Sequence, residues 1–250
     1  MIFILLILSL LFIAIGYIIT EKNAKYLLSG YNTMSEENRK AFDLSSYIPA
    51  FRRFHLFLGV SFLLIGSALT FLISETAAGI FIALYPIVAY IGFFWIGKKY
   101  YRGNKGKGSN IGIGILIAAL IFILALMAFG ARENEMRISN EKITINGMYD
   151  EEIAVSGILS VCLVDSLPAI TLRINGFGLG NIRKGYFKTS NGVVVKLIMN
   201  SGNNPCILIT KKTGEEIFYS ARKIPNKTIF AEIQEKIPGI SCSEMVENNK

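Results

Sequence analysis

The chain has 250 residues, of which 52% are hydrophobic and only 18% charged, with a mean hydropathy of +0.47 and a net charge of +8. Soluble domains carry about 25% charged residues, and here the apolar excess is packed into the first half. That excludes a purely soluble, a collagen-like and a disordered chain, and leaves a membrane protein of one or two domains.

Four uncharged apolar runs open the chain: Ile2–Ile19, Phe54–Ile73, Ala77–Ile96 and Ile111–Phe129. Each approaches the ~20 residues that the hydrocarbon core of a bilayer requires, and none shows the polar stripe of a buried soluble helix. Four transmembrane helices are predicted. The first run lacks a basic segment before it and a small-x-small cleavage site after it, so it reads as a retained helix rather than a signal peptide.

Orientation follows from the basic residues. The loop 20–53 carries Lys22, Lys25, Arg39, Lys40, Arg52 and Arg53, and the loop 97–110 carries Lys98, Lys99, Arg102, Lys105 and Lys107. The turn between the second and third runs offers only Ser74, Glu75 and Thr76. Lys/Arg-rich short loops stay in the cytoplasm, so the N-terminus and everything after Arg132 are expected outside.

The polar inventory within the runs is Ser9, Ser61, Ser67, Thr70, Tyr85 and Tyr90, with a kink-capable Pro86. Hydroxyls can bond their own helix, and no acid pair or histidine relay marks an ion path. Gly59 and Gly66, seven residues apart, and the Gly108/Gly112 pair suit close helix packing. Packing within one bundle is expected, with self-association as a further option.

Between the first two runs lies Gly30-Tyr31-Asn32-Thr33-Met34-Ser35-Glu36-Glu37. Ser35 suits a helix N-cap with Glu36 and Glu37 at the positive end of the dipole. This GYNTMS stretch, after one apolar helix and before others, resembles the marker of an uncharacterised family of bacterial membrane proteins over roughly residues 1–100. The resemblance implies topology and no chemistry.

After Gly130 the texture changes. Strands are predicted at Glu135–Asn140, Lys142–Asn146, Glu152–Val155, Ile158–Leu163, Ala169–Ile174, Tyr186–Thr189, Val193–Met199, Ile207–Thr210 and Glu216–Tyr219. Asn146-Gly147, Asn175-Gly176, Asn191-Gly192 and Thr213-Gly214 are hairpin signals. Ile229, Phe230, Ile233 and Ile237 give an amphipathic helix between Pro225 and Pro238. The expected fold is an α-helical membrane bundle over residues 1–130, then a small antiparallel barrel or orthogonal sandwich over 131–240 plugged by one helix, then a disordered tail, 241–250. The element order and the stretch from Leu167-Pro168 through Arg173-Ile174-Asn175-Gly176 to Lys184-Gly185-Tyr186-Phe187 resemble a bacterial PH-like domain, which implies a binding module.

Candidate chemistry is thin. The three cysteines Cys162, Cys206 and Cys242 form no CxxC pair and the only histidine is His55, so neither a metal site nor a cofactor site is expected. The thiols read as buried and free, with one disulfide as the alternative. Without a histidine after residue 130 there is no Ser-His or Cys-His pair, and an enzyme is not expected. Asp150, Glu151 and Glu152 read as a solvated turn. Gly176-Phe177-Gly178-Leu179-Gly180 is not followed by a helix, which argues against nucleotide binding. Phe177, Leu179, Arg183 and Lys184 are the candidate contact loop, for a lipid or protein partner; the alternative is a glycine-permitted bulge with both apolar residues tucked in. Eleven of the 26 basic residues lie in the two orienting loops, so nucleic acid is not an expected partner. The leading expectation is a multi-pass cell-membrane protein presenting an interaction domain outside; the alternative is a small transporter, channel or transporter accessory.

Overall fold

The computed structural model describes residues 1–101, 108–240 and 242, and it divides into two compact units, Met1–Ala125 and Leu126–Lys250. The first unit is helical. Helix α1 spans Ile2–Ile18, and two short helices follow, α2 (Ala24–Leu27) and α3 (Glu36–Lys40). Helix α4 (Leu44–Ala68) runs on as a π-turn, Leu69–Ile73; α5 (Glu75–Gly97) ends in a 3₁₀ turn, Lys98–Tyr100; α6 spans Gly108–Ala131. The stretches Leu44–Ile73, Glu75–Tyr100 and Asn110–Ala131 are long and apolar enough to cross a membrane, and α1 is apolar with 17 residues.

Caps explain where these helices begin. The Asp43 carboxylate accepts from the Ser46 N–H at 3.1 Å, so α4 starts ten residues before its apolar run. Ser74 alone separates α4 from α5, and its hydroxyl accepts from Ala77 N–H at 3.1 Å. Where α4 widens into the π-turn, the Thr70 hydroxyl donates to Gly66 O at 2.8 Å. Small residues seat α1 against α4. Gly59 lies on Ser9 and Ile13, Gly66 lies on the Leu5 side chain, and Ser9 Oγ donates to Gly59 O at 2.7 Å.

Among the described residues, the second unit holds the last turns of α6, nine strands and one further helix. Strands β1 (Glu135–Ile138), β2 (Lys142–Asn146) and β3 (Glu151–Ala154) form an antiparallel meander. The others are β4 (Ile158–Val164), β5 (Ile170–Leu179), β6 (Ile182–Thr189), β7 (Val194–Met199), β8 (Cys206–Lys211) and β9 (Glu216–Ser220). They form one sheet in the order β4-β8-β9-β7-β6-β5. All pairs are antiparallel except β7 with β9, which departs from the antiparallel barrel expected. Helix α7 covers Asn226–Lys236.

The edge strands β4 and β5 are consecutive in the chain, joined only by residues 165–169. The six Cα steps from Val164 to Ile170 reach at most ~22 Å, short of the ~24 Å between the edges of a flat six-stranded sheet, so the sheet must curl to satisfy the connection. The concave face buries Cys162, Val164, Phe187, Val195, Leu197, Met199, Cys206 and Phe218. The opposite face packs Ile198, Ile207, Ile209, Ile217 and Tyr219 against Ile143, Ile145 and Ile153 of the meander and Ile229 and Ile233 of α7. Helix α7 therefore lies on the convex side and does not plug the curl. On β9 the alternation is period-two: Phe218 faces one core, and Ile217 and Tyr219 the other.

The free edge of β4 is covered by the chain's end. Val161 N–H donates to Ile240 O at 2.7 Å and Cys242 N–H to Val161 O at 2.9 Å. Cys162 is disulfide-bonded to Cys242, with Cα atoms 5.1 Å apart, while Cys206 is free and buried. This corrects the expectation of three free thiols. Apart from Cys242, the expected disordered tail lies outside the described residues.

Candidate functional site

Hairpin β5–β6 carries the four candidate contact residues. The predicted turn at Asn175-Gly176 is absent: β5 continues through it, and the chain reverses at Gly180-Asn181, with φ +59° at Gly180. Instead the register shifts between Arg173 and Asn175, and Gly176 pairs with Gly185. A Cβ on Gly176 would sit 2.5 Å from Lys184 O; one on Gly185, at φ +121°, would strike Asn175 O and lie 2.6 Å from the Gly176 Cα. These two glycines serve a close strand approach.

The side chains around them do not form one surface. Phe177 is half-buried with its ring against Gly130 in the last turn of α6, where a Cβ would meet it at 2.6 Å. Leu179 is half-buried, Arg183 is exposed, and Lys184 has no exposed surface. Neighbours on a strand point to opposite faces, which separates the two basic residues.

Lys184 belongs to a polar junction that grips the chain as it leaves α6. Its ammonium donates to Arg132 O. Asn134 N–H donates to Asn200 Oδ1 at 2.8 Å, and Asn200 Nδ2 returns a bond to Asn134 O at 3.1 Å. The Tyr219 hydroxyl donates to the same carbonyl at 3.0 Å. Arg222 donates through Nε to Asn200 O and through Nη2 to Ala131 O, each at 3.1 Å. Glu133 Oε1 accepts from the N–H groups of Arg222 and Lys223 at 2.6 and 3.2 Å. Burial, helped by the Arg222 charge and opposed by Glu133, pulls the Lys184 ammonium down to about 8; burial pushes the Tyr219 hydroxyl up to about 12. A lysine sealed from solvent and donating to a backbone carbonyl cannot meet a substrate. Its chemistry is to position residues 131–134.

A second ionic junction ties the meander to the curled sheet. Glu151 on β3 accepts from Lys196 on β7 and, at 2.5 Å, from Lys211 on β8, which also reaches Glu215 at 2.8 Å. Burial alone would raise the Glu151 carboxyl, but the bonds from the two lysines hold it below its ordinary value. Glu151 is thus a structural strap, not part of the solvated turn expected for residues 150–152. Among the described residues no group of three or more His, Cys, Asp or Glu is placed to hold a metal ion.

In the helical unit His55 is fully buried between α1, α4 and α5. Its Nδ1 lies 2.8 Å from Phe51 O and its Nε2 2.9 Å from the Tyr90 hydroxyl. The carbonyl can only accept, so Nδ1 donates to it, while Nε2 and the Tyr90 hydroxyl share the second bond. Ser61 and Tyr85 form a second hydroxyl pair at 2.6 Å between α4 and α5.

The loop 28–43 is ordered by its own polar groups. Gly30 takes φ +86°, Ser35 Oγ accepts from Asn38 N–H, and Arg39 donates to Tyr31 O and Asn32 O at 3.1 and 2.7 Å. It also meets the residues after α5: Asp43 N–H donates to Tyr100 O at 2.8 Å and the Tyr101 hydroxyl to Asn38 Oδ1 at 2.6 Å. Tyr31, Phe42, Tyr47 and Tyr100 close over this contact. The turn and the cap are legible in the sequence, whereas the bonds of Arg39 to two backbone carbonyls are set by the fold of the loop.

No curated protein and no solved structure matches the chain. Residues 6–101, from α1 through the ordered loop to the end of α5, match the model of a family described as a domain of unknown function, DUF3784.

Proposed function

We propose that the chain is a four-span integral membrane protein that presents its C-terminal β domain outside the cell membrane as a binding module. The carrying observation is the junction at residues 131–134. Lys184 on β6, Tyr219 on β9, and Asn200 and Arg222 in the loops after β7 and β9 hold the backbone that leaves α6, which suits a folded module that begins directly after an apolar helix. The basic loops support the orientation. So does the Cys162–Cys242 bond, because disulfides persist in oxidising compartments. At 1.5 Å per residue the 17 residues of α1 reach ~26 Å, the short end of a span.

The module is read as PH-like from the sequence stretch 167–187, and as a binder because the domain lacks a histidine and holds its buried lysine in a backbone bond. Strand β5 is the natural docking edge: it pairs only with β6, and Leu172 and Ile174 are exposed along it. An extended peptide can add to such an edge. A transport role is the alternative; His55, bonded at both nitrogens, is engaged in packing α4 against α5, which weighs against it.

A photoreactive residue at Leu172 in the full-length protein tests the binding role in cells. A discrete crosslinked species from position 172, absent from the equally exposed position 156, is expected. Identical patterns at the two positions would contradict it.

A further inference from the structure

From the placement of the junction we infer that the membrane-proximal end of the β domain rests on anionic phospholipid headgroups, through Arg132, Arg183, Arg222 and Lys223 with Ile224 as an apolar contact. The inference rests on α6 being a membrane span.

Helix α6 is apolar to its last residue, Ala131, and Arg132 is the first charge after it. The bilayer boundary therefore falls close to Ala131. Arg222 Nη2 lies 3.1 Å from Ala131 O, so the loop after β9 sits at the level where the span ends. The headgroup layer extends roughly 5–7 Å beyond the hydrocarbon on each side, which encloses this loop. The same level holds the hairpin: Phe177 packs on Gly130, and Asn181 at the turn packs on Gly202 beside the Asn200 that Arg222 grips.

Chemistry selects the partner. Arg132, Arg183, Arg222 and Lys223 are all exposed. Two acids lie at this level: Glu135 is exposed and lines one cavity with Phe129, Arg132 and Arg137, whereas Glu133 is turned inward, spending one oxygen on the two loop N–H groups with its side chain only 10% exposed. Lys223 is 4.0 Å from its other oxygen while itself 74% exposed. Net positive charge thus faces the headgroups. Ile224 is 51% exposed in the same loop, and Phe129 is 47% exposed in the last turn of α6. Bulky apolar side chains beside Arg and Lys at a helix end are the arrangement that suits an anionic interface.

The test uses the full-length protein in vesicles of phosphatidylcholine, with or without phosphatidylglycerol, containing lipid brominated near the top of the acyl chain. Trp95 is the only tryptophan and is exposed within α5; its quenching in the unaltered protein reports insertion. Ile224→Trp in a Trp95→Phe background then reports the loop. Quenching of the introduced indole that increases with phosphatidylglycerol is expected. Arg183→Glu with Lys223→Glu should cut that increase about fivefold or more, since each basic residue near an anionic surface contributes about fivefold in partitioning. Amide exchange at residues 222–228 of the unsubstituted chain should slow in the same vesicles, which guards against a misfolded variant. An indole unquenched in both lipids, or quenched equally whatever the lipid charge, would overturn the inference while Trp95 stays quenched. An unquenched Trp95 would overturn the membrane reading beneath it.

Discussion

Lys184 and Gly185 sit side by side on β6 and carry opposite kinds of cost. Lys184 is a charge without solvent. Its folded-state value of about 8 lies below the ordinary lysine value of 10.5, so between those limits the unfolded chain binds the extra proton. Stability must then rise with pH across that window, and the penalty is complete below pH 8. The difference in unfolding free energy between the wild type and Lys184→Met should change across pH 8–10.5 and be flat below it. The comparison matters because the buried Cys206 thiol, raised to about 11, acts with the opposite sign above its ordinary value. A pH-independent difference would mean that Lys184 ionises as it does in water. Gly185 is a steric case. At φ +121° with Asn175 O and the Gly176 Cα in the way, Gly185→Ala should cost about 1–3 kcal/mol, read as a fall in denaturation midpoint. Gly192→Ala, in a β-turn with open space around it, should cost less.

The elements differ in how far local residues specify them. All nine strands and α7 are legible from alternation and turn residues, because period-two patterning and Gly, Pro and Asn act locally. The error at Asn175-Gly176 is instructive: the dipeptide favours a hairpin turn, yet the partner strand supplies Gly185 opposite, and together the glycines make a bulge. A turn and a bulge demand the same residue, and only the pairing decides. The parallel β7–β9 contact, the partner of Lys184 some fifty residues away and the Cys162–Cys242 bond are likewise non-local, and no pattern announces them. That bond closes a sequence separation of 80. Cys242→Ser should lower stability by about 2–4 kcal/mol, and free-thiol counting on the unfolded, unreduced protein should find one thiol rather than three. In the helical unit the Gly59/Gly66 spacing did identify a packing face. Gly66→Leu should separate α1 from α4, because a Cβ there already meets Leu5; loss of a cysteine crosslink between positions 12 and 62, whose native rings lie 5.4 Å apart, would report it. Ser9→Ala, which deletes the bond to Gly59 O, should cost only about 0.6 kcal/mol.

At the scale of the whole molecule, hydropathy made the membrane half legible, and alternation the β half. What the sequence concealed is the polar junction inside the second unit: a buried lysine, two asparagines, a tyrosine and an arginine fastening residues 131–134. Each is an ordinary polar residue in its own segment. Their role exists only once β6, β7 and β9 end at the same place. The central claim is that this fastened domain stands outside while the basic loops stay in the cytoplasm. Cysteine accessibility tests it most directly. In intact cells, with any outer membrane permeabilised, an impermeant thiol reagent should label Ser139→Cys on the β1–β2 turn and spare Glu37→Cys on α3 until the inner membrane is opened. Labelling of position 37 with protection of position 139 would contradict the account.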